Sequence, residues 1–493
     1  MFTTKYTPGT RHCQYSKTKI GQIRLYRPLW FATRRHLIYI TQQDDCHRVR
    51  EHLHSIFYMI NYSFLRPLKA AALKEWYNAP FEKKDELKVE TYKNATILPL
   101  KRFEGDNLLF GRGGVVSENG DYINLSAIKD RVQFSYNFSD PSFVNEKVVY
   151  CGYLVDQWGH FLIEAVARLW YLLKNDYSID HYVFFVRENE KREISGNYQE
   201  FFKLLGIWDK ISIINQPTRY KDVVIPELGY NRIESYSEQF KEIFSKVSLA
   251  AIAQHPTTSS SSGHLKIFFS RSQLKNIKKR EFGLEIIDNY FQKNGYTILY
   301  PEKTSLSKLI VYIKSAEEIA MFSGSVHHNI LFADDAKKII LIERNVINNE
   351  IQVDINRMKN LSVDYIDANM PIYTVNLGAG PFIMAYNKHL EQYTSSKKFV
   401  APDSKYYSQK YIKKMFKGYM NSYTKAYGFQ WYMDDWYIKY TNTFREGYNE
   451  SFQYFGDFLT GRKPFRLKHY LGFHFWNFKL QKLILFLYTK FHK

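Results

Sequence analysis

Between Lys147 and Glu343 short apolar runs alternate with amphipathic ones, and this constrains the fold more than any other feature of the chain. Such a pattern reads as successive β-α-β units whose parallel strands are covered on both faces. The first series is a strand over Lys147–Leu154, a helix over Gly159–Lys174 and a strand over His181–Arg187. A helix over Tyr198–Leu205, strands over Ile211–Asn215 and Asp222–Pro226 and a helix over Glu234–Ala253 complete it. The polar run from Gln254 to Gly263, with four consecutive serines, reads as a linker. A second series follows, with strands at Lys266–Ser270, Thr297–Tyr300, Ile319–Phe322 and Lys338–Glu343. Helices at Glu281–Lys293, Ser305–Lys314 and His328–Ala333 lie between them. Two α/β units about one linker create a cleft on which strand ends and helix N-termini converge.

The division this implies is an N-terminal α/β domain over 96–254, a linker over 255–264 and a C-terminal α/β domain over 265–386. Residues 1–95 carry no readable pattern, although Gly113–Asp121 has the turn residues of a hairpin. Residues 387–493 form an aromatic, basic, mainly helical extension. Its end, Arg462–Lys493, holds eight Lys or Arg and no acid among many aromatics, a pattern suited to an anionic membrane face or to packing on the protein itself.

Of the 493 residues, 69 are Lys or Arg and 49 Asp or Glu, a formal charge of +20 that suits an anionic partner. Cys13, Cys46 and Cys151 are isolated, which excludes a disulfide framework and a thiolate zinc site. With no apolar leader and no apolar run long enough for a span, the expected location is the cytoplasm, peripheral on the inner face of the membrane if the basic end docks there.

Three segments can carry chemistry. In Asp156-Gln157-Trp158-Gly159-His160-Phe161-Leu162-Ile163-Glu164, continuing to Arg168, the residues His160, Glu164 and Arg168 share one helical stripe after a strand. An imidazole at that first turn is a candidate general base, and a solvated stripe is the alternative. The second segment is Ser270-Arg271-Ser272 with Lys275, Lys278, Lys279 and Arg280, placed to hold phosphate between a strand end and a helix start, or else a solvated basic loop. The third is Phe322-Ser323-Gly324-Ser325-Val326-His327-His328-Asn329, where small residues let backbone amides approach a ligand, or simply make a tight turn. Neither a Walker A motif nor a dinucleotide fingerprint occurs, and no His-Glu-x-x-His.

In this order the segments resemble the family 61 glycosyltransferases, including members from capsular polysaccharide gene clusters. The likeness rests on Gly159-His160-Phe161-Leu162-Ile163-Glu164 with Arg168, Phe269-Ser270-Arg271, Arg280-Glu281, Gly295-Tyr296, and Ser323 to Phe332 ending in Glu343. Lys279-Arg280-Glu281 and Gly324-Ser325-Val326-His327 depart from the commoner forms.

The resemblance implies a GT-B-like fold, two facing Rossmann-like domains, and inverting transfer from a nucleotide-sugar to a glycan or lipid-linked glycan in capsular or exopolysaccharide biosynthesis. It implies donor contacts from Arg271, Lys279, Arg280, Ser323, Gly324, Ser325, His328, Asn329 and Glu343, and acceptor-side roles for Trp158 and Arg168. His160 or Glu164 would be the base, with Asp156 as a further supporting carboxylate. Charge from Arg271, Lys279 and Arg280 would replace a metal, so no cofactor is expected beyond the nucleotide-sugar co-substrate. The competing classes are a non-catalytic polysaccharide-assembly protein of the same fold and a single-strand nucleic-acid binder. The absence of an RNP-like strand disfavours the latter, so no nucleic-acid partner is expected.

Overall fold

A computed structural model describes residues 59–104, 110–128, 131–256, 265–347, 349–376, 378–428 and 441–460. Two sheets dominate. The first contains β1 (Ile60–Phe64) and, after seven strands of the other sheet, β9 (Lys266–Phe269), β10 (Thr297–Leu299), β11 (Glu318–Phe322), β12 (Lys338–Glu343) and β13 (Ser362–Asp367). Its order is β1-β13-β12-β11-β9-β10, with every neighbouring pair parallel. β11 is buried at all five positions, as a central parallel strand covered on both faces must be.

The second sheet is mixed. It holds β2 (Val89–Lys93), β3 (Thr96–Lys101), β4 (Arg112–Val116), β5 (Ser142–Tyr153), β6 (His181–Phe185), β7 (Ile211–Ile214) and β8 (Thr218–Pro226). β8, β5, β6 and β7 lie parallel in that order, and β3 with β4 forms an antiparallel flap beyond β8. The hairpin expected at Gly113–Asp121 is present at the end of β4, closed by pairing of Val116 with Tyr122.

The unreadable N-terminal part supplies an edge strand and a helix to the first sheet. β1 runs beside β13, where Asn61 Nδ2 donates to Asp364 Oδ1 at 2.8 Å. Pro67, whose missing N–H costs nothing at a first helical position, then opens α1 (Pro67–Asn78). Arg66 pairs with Asp367 at 2.6 Å and Glu450 at 2.9 Å, and Lys69 with Glu343 at 3.2 Å, so α1 is fixed by buried charge against the strand ends.

Several expected helices are shorter or of another kind. Gly159–Lys174 is α2 (Trp158–Ile163) followed by a 3₁₀ run over Ala165–Lys174. The backbone breaks at Glu164, and Ala165 through Trp170 are buried one after another, so no amphipathic period holds the segment to an α-helical pitch. Glu281–Phe282 is a short strand beside Phe382–Ile383, and the expected helix begins only at Leu284, as α5 (Leu284–Lys293). Between them Gly283 has φ +87°, and a Cβ there would lie 2.0 Å from the Met384 carbonyl oxygen. The expected helix over His328–Ala333 is a 3₁₀ run over Ser325–Phe332.

The described residues form one compact unit, with a core shared by both sheets. α3 (Gly196–Leu205) and α4 (Glu238–Ala253) of the first series meet α6 (Leu306–Ser315) of the second. Glu200 on α3 caps α6, accepting from the amides of Leu306 at 2.8 Å and Ser307 at 2.9 Å. After α7 (Glu350–Met358), the C-terminal part contributes α8 (Lys388–Lys397), α9 (Gln409–Tyr427) and α10 (Thr441–Thr460). The expected linker's serines and the tail Arg462–Lys493 lie outside the described residues. Among the described residues no helix is long and apolar enough to cross a membrane.

Candidate active site

In the first sheet the chain leaves β9 for β10 on one side and returns to β11 on the other. The strand order therefore reverses between β9 and β11, and ligands of open α/β sheets bind beyond the carboxyl ends of such strands. Ser270-Arg271 extends from β9 and Ser323-Gly324-Ser325 from β11. Facing the latter is the turn from β5 into α2. The two approach so closely that a Cβ on Gly159 would lie 2.5 Å from His328 Nδ1.

Beside this contact lies a cavity of about 570 Å³, lined by Gln157, Trp158, His160 and Arg232 from one side and by Ser323, Gly324, Ser325, His328, Arg344 and Asn345 from the other; Trp76 also lines it. Its volume falls in the range of small-molecule and cofactor sites.

His160 Nδ1 lies 2.6 Å from Glu164 Oε1, which also accepts from Arg131 Nη2 at 2.8 Å. Glu164 Oε1 is nearer to His160 Nδ1 than the Arg131 Nη2 donor, which lies 3.0 Å away, so the carboxylate places the proton on Nδ1 and leaves the lone pair on Nε2. Burial would raise the Glu164 carboxyl, but the bonds from His160 and Arg131 prevail and hold it below its ordinary range. The dyad is thus an ionised carboxylate orienting an imidazole on the cavity wall.

The opposite wall centres on Arg344. Its Nε donates to the Ser323 carbonyl at 2.7 Å, its Nη1 to Glu281 Oε1 at 3.0 Å, and its guanidinium lies 4.8 Å from the centre of the Phe382 ring. Burial lowers its pKa to about 10, so it stays charged at neutral pH. Gly324 has φ +120°, and a Cβ there would meet Arg344 Nη2 at 2.8 Å, so glycine lets the turn close on the guanidinium.

His328 is 3% exposed and poorly satisfied, with the Gly159 backbone beside it as a weak hydrogen-bond partner. Burial pushes its pKa down to about 4, so the ring is neutral. A buried ring so poorly satisfied on a cavity wall carries a cost that a bound ligand can offset.

Of the residues singled out from sequence, the structure brings Trp158, His160, Ser323, Gly324, Ser325 and His328 to this cavity. Asn329 is one step behind it, accepting from Trp158 Nε1 at 2.8 Å. Glu164 stands behind His160. Asp156 is exposed and does not line the cavity; its carbonyl accepts from the Tyr198 hydroxyl. Arg168 points elsewhere: fully buried, it donates to the carbonyls of Pro226, Leu125 and Ala127, tying the 3₁₀ run to the second sheet.

Arg271 is bound to Glu281, with Nη2 to Oε1 at 2.8 Å and Nε to Oε2 at 3.1 Å. Arg280 holds the carbonyls of Ala379 and Gly378, Gly378 being a residue of the cavity rim. Lys279 is exposed, with its carbonyl bonded by Ser422. Glu343 is buried under α1 with Lys69, and burial raises its carboxyl above the ordinary range.

Sequence reasoning missed Arg344, Arg131, Arg232 and Trp76. Arg344 directly follows the last residue of the recognised pattern; the others sit in segments without periodicity and gave no signal.

Among the described residues no three His, Cys, Asp or Glu side chains cluster to hold a metal. No curated protein matches the chain. Residues 158–340, which include α2, both Ser-containing turns, β9 to β11 and the first half of β12, match the family model described as Glycosyltransferase 61. Through this segment, rather over a third of its length, the chain is similar to the family 61 glycosyltransferases.

Proposed function

We propose that this glycosyltransferase is an inverting enzyme of GT-B type, transferring a sugar from a nucleoside-diphosphate sugar to a glycan or lipid-linked glycan. The observation that carries the proposal is the Glu164–His160 dyad on one wall of a cavity whose other wall is the Ser323-Gly324-Ser325 turn backed by Arg344. The donor occupies this cavity, its diphosphate against the amides of the turn and the Arg344 guanidinium.

In the reaction His160 Nε2 takes the proton of the acceptor hydroxyl, whose oxygen attacks the anomeric carbon. The bond to the diphosphate breaks with its electron pair leaving on phosphate oxygen. A single displacement inverts the anomeric centre, and Glu164 stabilises the imidazolium that forms. Arg344, with Arg271 behind it on Glu281, supplies positive charge to the leaving group, so the reaction proceeds without a metal cofactor. The family resemblance supports a place in capsular or exopolysaccharide assembly at the cytoplasmic face of the membrane, with the basic tail Arg462–Lys493 as the docking segment.

A thermal-shift screen against UDP-, GDP-, CMP- and dTDP-sugars, with and without divalent metal, tests the reading. A donor at 100 times its Kd stabilises by about 2.7 kcal/mol. One nucleotide class should raise Tm without metal, and Arg344→Ala should abolish the rise. No response to any donor refutes the proposal. Flotation with anionic liposomes, comparing the full chain with one ending at Gly461, tests the tail; equal flotation refutes that role.

A further inference from the structure

A second, smaller cavity of about 90 Å³ lies on the far side of the dyad, within the first α/β series. His160 faces the large cavity, Glu164 lines the small one, and Arg232 lines both. The base therefore stands at the junction of the two spaces.

The chemistry of the small cavity is divided. Ile163 and Leu228 are among the apolar side chains on its wall, while Arg131, Glu164, Asn231 and Arg232 are polar. Both guanidiniums are already charge-balanced, Arg131 by Glu164 at 2.8 Å and Arg232 by Glu350. Hydrogen-bonding capacity nevertheless remains. Glu164 Oε2 is buried without a partner, since Oε1 takes both the His160 and the Arg131 bonds. The Nε and Nη1 groups of Arg131 make no bond to any described residue.

We infer that this cavity seats the terminal sugar of the acceptor as a neutral pyranose. The inference rests on the glycosyltransferase reading above. The cavity's enclosed space takes one edge of a single ring with its hydroxyls, the remainder of the ring lying in the opening, and is far too small for a nucleotide. The apolar wall takes the C–H face of the ring. Hydroxyl oxygens accept from Arg131, and a hydroxyl proton satisfies Glu164 Oε2, which otherwise bears the cost of an unpaired buried acceptor. Because both arginines are neutralised in place, an acidic sugar gains no net attraction to offset the desolvation of its carboxylate. The carboxylate thus acts through both oxygens, one orienting the base and the other holding the ring that carries the reacting hydroxyl.

The test uses the full chain and saturation-transfer NMR with methyl glucoside, methyl galactoside, N-acetylglucosamine and glucuronate. Leu228→Trp and Asn231→Trp fill the cavity from two sides at partly exposed positions, with thermal unfolding confirming that each folds. At least one neutral sugar should give a signal with the wild type that both variants lose, while glucuronate gives none. Absence of any neutral-sugar signal, its survival in both folded variants, or an equal signal from glucuronate overturns the assignment. The nucleotide-sugar thermal shift is recorded on the same samples and should persist in both variants. If it is absent from the wild type, the glycosyltransferase reading fails, and the sugar signals still decide the cavity separately.

Discussion

Gly159→Ala probes the contact on which the site depends. The added Cβ would lie 2.5 Å from His328 Nδ1 and 3.0 Å from Ser325 Cβ. The nearer contact is about 0.9 Å short of ordinary van der Waals separation, and the obstacle is a buried ring, not the end of a flexible chain. Overpacking of this kind costs about 1–3 kcal/mol. For a chain of 493 residues, at about 2.1 cal/mol/K of unfolding entropy per residue, that is a fall in Tm of about 1–3 °C. The damage to catalysis should be larger than the damage to stability. The turn that moves carries His160, and the turn it moves against carries Ser325 and His328, so the displacement separates the proposed base from the proposed donor site. A misplacement of about 1 Å costs on the order of 10²-fold in rate. Differential scanning fluorimetry and initial transfer rates measure the two effects. Gly456→Ala is the control, because a Cβ there meets nothing within 4 Å in the C-terminal part of α10, and alanine should stabilise the helix by about 0.5–1 kcal/mol. If Gly159→Ala unfolds within about 0.5 °C of wild type and turns over within about twofold, the two turns are not in the contact described and the argument fails.

Three further outcomes are expected. Glu164→Gln removes the charge that fixes the His160 tautomer, so kcat should fall about 10²- to 10⁴-fold while the donor thermal shift is kept; a loss under about tenfold would remove the dyad from the mechanism. Arg271→Ala leaves Glu281 paired with Arg344 alone and should lower stability at neutral pH. Burial would raise the Glu281 carboxyl, but Arg344 and Arg271 hold it below its ordinary value. The stability this adds is full above about pH 4.5 and lost as pH falls through the folded pKa, so wild type and variant should converge in acid. A gap constant in urea titrations down to about pH 3 would contradict this. Finally, burial lowers the pKa of His327 to about 3 and of His328 to about 4, and both are neutral in the fold. The unfolded chain takes up these protons near pH 6.5, so stability should decline from there toward pH 4, and His328→Gln should flatten the slope. An unchanged slope would show that His328 does not titrate on unfolding.

The α/β alternation was legible because buried parallel strands must be apolar and their covering helices amphipathic, and β12 begins and ends where its pattern does. The position of Arg168 was not. Its place on the stripe of His160 and Glu164 assumes 3.6 residues per turn, at which four residues advance about 40° beyond a full turn. At the 3.0 residues per turn of the run after Glu164 they advance about 120°, which carries the side chain off the cavity and into the sheet. For Arg271 it was the partner that could not be read. Its position at a strand end was visible, but its partner Glu281 was assigned to a helix and became a buried anion only through the turn at Gly283.

The N-terminal segment shows why the rest of the site was not legible. β1 is half-buried along most of its length, as an edge strand is, and gives neither alternation nor a continuous apolar run. Nothing local announces that it will lie beside a strand some 300 residues later. Yet that pairing brings α1 to the strand ends, where Lys69 Nζ bonds the Asn345 carbonyl at 2.5 Å and Trp76 reaches the large cavity. Arg344 and Asn345 occupy the turn that follows β12, so the segment that clamps this turn also helps to shape the proposed donor site. A deletion through Asn78 should therefore expose the buried charges of Glu343 and Asp367 and disturb the donor cavity together, because one helix covers both.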